Sequence, residues 1–191
     1  GGFADKCEDA NAGALVVVDV KTSEVLALAS YPNYNPDEFT NGISNTEYEK
    51  YFLNKDMPMF NRSIQGTYSP GSTFKIISMA TALEEKVISL DDTFYDTGSV
   101  KVDGSTLRCW KSGGHGHQTF LQVLENSCNP GFVKIGQLLG KETLFKYLNN
   151  FGFGEKTGVD LNGESTGIMF NLNRVGNVEL ATTAFGQGVS V

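Results

Sequence analysis

One pair of residues in the sequence has the types and the spacing of a catalytic pair: Ser72 and, three residues later, Lys75. Pro70 and Gly71 interrupt the backbone just before them. Because residues 72–85 are mostly good helix formers, a helix is predicted to begin near Ser72. Side chains three residues apart share a helix face, so the Ser72 hydroxyl and the Lys75 amine are predicted to lie close together.

Such a pair has the chemistry of an activated nucleophile. A serine hydroxyl needs a neighbouring base at neutral pH, and Lys75 can be that base if burial under apolar neighbours such as Ile76 and Met79 lowers its pKa. The N-terminus of the predicted helix carries partial positive charge, which favours an oxyanion near Ser72. A helix-capping serine followed by a solvated lysine is the alternative interpretation of so short a pattern.

A second polar pair, Ser127 and Asn129, follows a predicted amphipathic helix over residues 119–127 and directly precedes Pro130. The proline places this pair in a loop between two helices. A hydroxyl and a carboxamide in one rigid loop can point into the same cleft. Ser127 would then relay a proton from Lys75 to a leaving amine, and Asn129 would hold a substrate backbone. By itself, the pair also fits a polar turn at a helix end.

Scarce metal-ligating side chains form a third cluster in the sequence: Cys109, His115, His117 and Cys128. Thiolate and imidazole are preferred ligands of structural zinc, so these four residues are predicted to bind zinc. If one histidine is left out, Asp96 or Asp103 is the candidate for the fourth ligand. Buried free thiols beside an ordinary loop histidine are the alternative. A Ser–His–Asp triad is disfavoured because the Ser72 helix already carries its own base.

The composition limits the class of protein. The 191 residues are 40% hydrophobic and 19% charged, which is typical of a globular domain with a substantial core. A net charge of −7 without a basic cluster argues against binding to nucleic acid or to an anionic membrane surface. Three cysteines make a disulfide framework unfavourable. No apolar run reaches the length of a membrane span. Gly1-Gly2 is interpreted as a remnant of cloning, and an upstream membrane anchor is compatible with the sequence.

The remaining pattern predicts a mixed fold. Apolar runs at residues 15–20 and 24–29 predict a β-hairpin with much of both strands buried. Residues 31–59, rich in proline and asparagine, predict a long surface excursion that contains one short helix. Further helices are predicted over residues 131–149, with a break near Gly140, and over residues 178–184.

The two motifs in this order resemble the transpeptidase domain of the penicillin-binding proteins. The sequence segments that resemble this family are Tyr31-Pro32-x-Tyr34-x-Pro36, Tyr68-Ser69-Pro70-Gly71-Ser72, Asn126-Ser127-Cys128-Asn129 and Phe185-Gly186-Gln187-Gly188. Within that family the chain is most similar to the class B proteins of Gram-positive spore formers. The resemblance implies an α/β (α+β) fold, with an antiparallel sheet, flanking helices and an all-α lobe. It also implies that residues 1–191 are a partial transpeptidase domain lacking its C-terminal strands.

The resemblance further implies a D,D-transpeptidase that cross-links peptidoglycan stem peptides in cell-wall or spore-cortex synthesis. Ser72 would attack the penultimate D-Ala carbonyl, with Lys75 as its base. Ser127 would pass a proton to the leaving D-Ala, and Asn129 would bind substrate. The implied partners are stem peptides, β-lactam antibiotics that acylate Ser72, and divisome or sporulation membrane proteins. The implied location is the extracytoplasmic face of the cell membrane, with an N-terminal anchor.

One further match is predicted to be coincidental. Lys156-Thr157-Gly158 has the letters of the family's third motif, Lys-Thr/Ser-Gly, but it lies among glycines, lacks the apolar run of a central strand, and follows Ser127 too soon. Without the true motif, weak or no transpeptidation is expected from this chain alone. Serine β-lactamases and β-lactam sensors share such motifs, so these proteins and a non-catalytic wall-binding scaffold are the alternative functions.

Overall fold

Residues 10–191 are described by a computed structural model, in two units. The first unit contains residues 10–67 and 159–165, and the second contains residues 68–158 and 166–191. Gly1-Gly2, interpreted above as a cloning remnant, lie outside the described residues. The strands and helices are, in chain order, β1 (Gly13–Val18), β2 (Val25–Tyr31), α1 (Asn45–Phe52), α2 (Lys75–Glu84), β3 (Thr93–Asp96), β4 (Ser99–Val102), β5 (Ser105–Arg108), β6 (Gly116–Thr119), α3 (Phe120–Glu125), α4 (Asn129–Asn150) and α5 (Asn177–Ala184).

In the first unit, β1 and β2 form the predicted antiparallel hairpin. The prediction that much of both strands is buried is wrong: Leu15 is 57% exposed, and most side chains of the two strands are exposed with it. A nearly continuous apolar pattern is typical of strands covered on both faces. Within residues 10–191 this sheet has only two strands, so both strands keep an unpaired edge and the faces have little to pack against.

Residues 31–59 form the predicted excursion, and its short helix is α1. Ser44 begins this helix with a capping box: its hydroxyl accepts a hydrogen bond from the Glu47 N–H, and the Glu47 carboxylate accepts one from the Ser44 N–H. Tyr51 is the buried residue of α1. Local capping chemistry therefore fixes where this helix starts.

The second unit is built around α4, which packs against α2 and α5. The α4 side chains in its core include Phe132, Val133, Ile135, Leu144 and Leu148. Gly140 interrupts the helix with a φ of 72° and a ψ of 163°, which confirms the predicted break. Strands β3 and β6 pair antiparallel, as do β4 and β5, and both pairs lie in this unit.

The start of the Ser72 helix is held by a close backbone contact. The chain turns into α2 through a 3-10 turn at Gly71–Phe74, which confirms the predicted helix start. The Gly71 N–H donates a 3.0 Å hydrogen bond to the Gly186 carbonyl. Gly186 has a φ of +81°, and a Cβ there would collide with the Gly71 carbonyl and with Phe74. Glycine at position 186 is therefore required for this contact.

Candidate active site

Ser72 lies in the 3-10 turn that leads into α2, and its side chain is exposed. Residues three apart eclipse each other in a 3-10 helix, so Ser72 and Lys75 lie on one side of the chain. The Lys75 N–H donates to the Ser72 carbonyl and closes this turn. The neighbouring hydroxyl, Thr73 Oγ1, donates a 2.8 Å hydrogen bond to the Pro70 carbonyl. Ser72 is thus an exposed residue one turn before a buried lysine.

Lys75 connects the two motifs. It is 1% exposed, and its Nζ donates hydrogen bonds to the Ser127 carbonyl oxygen at 2.8 Å, to Ser127 Oγ at 2.9 Å and to Asn129 Oδ1 at 2.7 Å. We call Lys75, Ser127 and Asn129 the lysine network. Residues more than fifty positions apart in sequence therefore meet at one amine, as the two predicted motifs require.

Burial sets the charge of this amine. Removal from water lowers the pKa of Lys75 to about 8, although negative charge on Cys128 or Cys109 would raise it. The predicted burial of Lys75 is confirmed, but of the predicted covering residues Ile76, Ile77 and Met79, the first is wrong, since Ile76 is 64% exposed, whereas Met79 is 3% exposed. The ring of Phe132, 5.4 Å from Nζ, covers the amine instead. With a pKa of about 8, roughly one Lys75 amine in ten is uncharged at pH 7.

Ser127 has an unusual backbone for a serine. Its φ is +50°, in the left-handed region, between the end of α3 and the start of α4. Its N–H donates to the Leu124 carbonyl at 3.0 Å. The next residue but one, Asn129, opens α4, and its Nδ2 donates to the Arg108 carbonyl at 3.1 Å. The second motif therefore occupies the predicted loop between helices.

Four buried or half-buried ligand groups converge beside this loop: Asp96, Cys109, His115 and Cys128. Their ligand atoms all lie within 4.8 Å of one another. His115 Nδ1 is 3.0 Å from Asp96 Oδ2, the Cys128 thiol donates to the same oxygen at 3.3 Å, and Cys109 Sγ is 3.4 Å from His115 Nδ1. We call these four residues the thiol–imidazole cluster. Cys128 is also the middle residue of the second motif, so the cluster and the lysine network share one loop.

The sequence left open which residue completes the predicted zinc site, and the structure selects one of the candidates. Asp96 joins the cluster, and His117 lies outside it, in an edge-to-face contact with Tyr95 whose ring centroids are 4.7 Å apart. Asp103 is also excluded, since it accepts a hydrogen bond from Asn177. Pairing of β3 with β6 places Asp96 opposite Gly116, and so brings the aspartate next to His115. This pairing connects distant segments and is not visible in the sequence spacing.

The carboxyl and the two thiols of the cluster differ in their charge at neutral pH, because their pKa values are shifted in opposite directions. Burial raises the pKa of Asp96, but hydrogen bonds from the Gly98 N–H and from His115 outweigh it and bring the pKa down to about 2. Burial raises the pKa of Cys128 to about 12, and it also raises the pKa of Cys109. At neutral pH the aspartate is therefore ionised, while both thiols keep their protons unless a cation displaces them.

The sequence reasoning missed Trp110 and Gln118, which flank the second motif. Trp110 directly follows Cys109, a predicted zinc ligand, and this position in the sequence could have marked it as a residue near the site. Residues 156–158, predicted not to form the family's third motif, are exposed and lie outside every strand of the described chain.

Comparison with known proteins finds similar sequences in one family. The model of the penicillin binding protein transpeptidase domain matches residues 13–191. The chain is 54% identical to the stage V sporulation protein D of Bacillus subtilis over 177 residues, which cover 92% of this chain and 26% of that protein. It is 37% identical to the peptidoglycan D,D-transpeptidase MrdA of Escherichia coli K12 over 158 residues, which cover 82% of this chain and 25% of that one.

A solved structure shows the same fold. It is the complex between the penicillin-binding protein PBP2 and MreC from Helicobacter pylori, with a TM-score of 0.87 and 33% identity, covering 94% of this chain and 35% of that one. The chain therefore belongs to the penicillin-binding protein transpeptidase family, with the mixed helical and antiparallel fold that the resemblance predicted. It spans about a quarter of the length of the two curated relatives.

Proposed function

We propose that this chain contributes the nucleophile and proton-transfer groups of a serine D,D-transpeptidase that cross-links peptidoglycan stem peptides. The observation that carries the proposal is the lysine network: a buried amine with a lowered pKa, one turn from an exposed serine and hydrogen-bonded to Ser127 and Asn129. The family membership and the name of the Escherichia coli relative support the same reaction.

In the acylation step, the uncharged Lys75 amine takes the proton from Ser72 Oγ. Ser72 Oγ then attacks the penultimate D-Ala carbonyl, an ester forms, and the bond to the terminal D-Ala nitrogen breaks. Ser127 Oγ gives its proton to that nitrogen and is reprotonated by the Lys75 ammonium, to which it is already hydrogen-bonded at 2.9 Å. The amine of a second stem peptide attacks the ester in the reverse sense and restores Ser72.

Asn129 has the capacity to bind substrate while it holds Lys75. Its Oδ1 accepts from Nζ, and one of the two N–H groups of Nδ2 is used by the Arg108 carbonyl. The second N–H of the amide remains for a substrate carbonyl oxygen. We therefore assign Asn129 a double role, in which it orients the base and receives the stem-peptide backbone.

The proposed partners are peptidoglycan stem peptides and the β-lactams that mimic them, without nucleic acid. Similarity to a stage V sporulation protein supports a role in spore formation, and the Helicobacter pylori complex with MreC supports a protein partner, which we propose to be a divisome or sporulation membrane protein. We place the site on the extracytoplasmic face of the membrane, where its substrate is. Among residues 10–191, every helix is too short or too polar to cross a bilayer. An N-terminal anchor is part of our proposal.

We also propose that the thiol–imidazole cluster binds a structural zinc ion through Asp96, Cys109, His115 and Cys128. The donor set of two thiols, one imidazole and one carboxylate suits tetrahedral zinc, and the four ligand atoms already converge. A bound ion supplies a fixed cross-link between the β3–β6 strands and the second motif. Because both thiols must lose protons on binding, zinc affinity is expected to rise with pH.

Zinc analysis of matched variants tests this cluster. The purified protein is expected to hold about one zinc per chain, and Cys128→Ser to lose it, because a serine hydroxyl is a much weaker zinc ligand. His117→Ala is the matched control, and it is expected to keep the metal, since His117 lies outside the cluster. Metal content unchanged in Cys128→Ser, or lost in His117→Ala, would refute the proposed ligand set.

Labelling with a fluorescent penicillin tests the function itself. The full-length polypeptide that contains this chain is expected to form a stable covalent adduct, and peptide mapping is expected to place the added mass on the peptide with Ser72. An adduct that hydrolyses within seconds would instead indicate a β-lactamase. Absence of any adduct would favour the non-catalytic scaffold and refute the proposal.

A further inference from the structure

Two side chains hold Asn126, the residue that precedes Ser127. The Trp110 indole Nε1–H donates a 2.8 Å hydrogen bond to the Asn126 carbonyl oxygen. The Asn126 side-chain Nδ2 donates in turn to Gln118 Oε1 at 3.1 Å. Asn126 is thus fixed through its main chain by Trp110 and through its side chain by Gln118.

The Asn126 carbonyl and the Ser127 N–H belong to one peptide group. Trp110 holds its oxygen, and the Leu124 carbonyl holds its N–H at 3.0 Å. Rotation of this peptide group about the N–Cα bond of Ser127 is described by the φ angle of Ser127, which is +50°. A serine keeps such a left-handed conformation only where its surroundings over-determine it. The Trp110 bond is therefore one of the contacts that impose the backbone on which Ser127 Oγ meets Lys75.

Packing in the core does not explain why a tryptophan stands at position 110. Its side chain is 70% exposed, so it adds little to the core. Its ring lies edge-on to His115 at 5.4 Å, which gives the indole a defined direction. Gln118 is only 4% exposed, and its Nε2 has no hydrogen-bond partner among the described residues. Burial of a half-satisfied amide is unfavourable. The Gln118 Oε1 accepts from Asn126, and the Gln118 side chain also lies beside the Cys128 thiol.

We propose that Trp110 and Gln118 are positioning residues for the acyl-transfer reaction, acting through Asn126 on Ser127. The inference rests on the proposed function. Without the Trp110 bond the peptide group loses the hydrogen bond on its carbonyl side, and without the Gln118 bond the Asn126 side chain loses its anchor. Ser127 Oγ then spends less time within hydrogen-bond reach of Lys75 Nζ. Acylation then slows, while the affinity for the unreacted β-lactam, which does not depend on proton transfer, stays the same.

Trp110→Phe in the full-length polypeptide tests the proposal, since it removes the N–H and keeps a ring. The first-order acylation rate at saturating penicillin is expected to fall about tenfold. The dissociation constant of the unreacted complex is expected to change less than about twofold, with an unaltered melting temperature. Asn126→Ala, which removes the bond to Gln118 and keeps the Asn126 carbonyl, is expected to change the same rate in the same direction.

Tyr95→Phe is the matched control, because Tyr95 is an exposed ring of the same unit, and it is expected to acylate at the wild-type rate. A wild-type rate in Trp110→Phe overturns the positioning role. A slower rate accompanied by a lower melting temperature and weaker binding also overturns it, because it indicates a structural role. If the wild-type protein itself is not acylated, the proposed function fails first, and the two failures are thereby distinguished.

Discussion

Ser72→Ala is expected to abolish covalent labelling by penicillin and leave the fold unchanged. The variant has no oxygen with which to form the acyl-enzyme, so the adduct is lost altogether rather than formed slowly. Ser72 is exposed, so the free energy of unfolding should change by less than about 0.5 kcal/mol. Gel fluorescence after incubation with labelled penicillin, together with a thermal melt, measures both effects.

Thr73→Ala is the matched control for this prediction. It removes the hydroxyl next to Ser72 in the same 3-10 turn, one that donates to the Pro70 carbonyl. We expect Thr73→Ala to label normally. Full labelling of Ser72→Ala would show that another group is the nucleophile, and loss of labelling in both variants would point to damage of the turn.

Lys75→Met is expected to slow acylation by about a thousandfold, the middle of the range for loss of a general base. Methionine fills much of the same volume, which avoids the cavity that alanine would leave beside Phe132. The change removes the base for Ser72 and also the donor that holds Ser127 and Asn129. The rate of acylation at saturating penicillin is the measurement.

Lys134→Met controls for the loss of a lysine elsewhere in the unit, since Lys134 is exposed on α4. We expect it to acylate at the wild-type rate. If Lys75→Met acylates as fast as Lys134→Met, proton transfer through the lysine network is not part of the reaction.

Local chemistry made the main elements predictable from sequence. Pro70 and Gly71 before a run of helix formers fixed the start of the Ser72 helix, and Gly140 marked the break in α4. The serine–lysine spacing made Lys75 the candidate base on the condition that burial lowers its pKa, and burial does lower it. Each of these inferences depends on residues within a few positions of each other.

The contacts that complete the site depend on tertiary structure and were not predictable. Phe132 covers Lys75 because α2 packs on α4, and no spacing indicates that pairing. The sequence named Asp96 and Asp103 as alternatives to a histidine in the thiol–imidazole cluster, and the pairing of β3 with β6 is what selects Asp96 over His117. The apolar runs of β1 and β2 suggested burial, but burial depends on the layers that cover a sheet, which local patterns do not determine.

The pH dependence of acylation tests most directly whether an uncharged Lys75 activates Ser72. The pKa of Lys75, lowered by burial to about 8, predicts a rate that rises about tenfold per pH unit well below pH 8 and levels off above it. Between pH 7 and pH 9 the rate at saturating penicillin should therefore rise about tenfold. A rate independent of pH over this range, or one still rising towards pH 10 as for a solvated lysine, would contradict the mechanism.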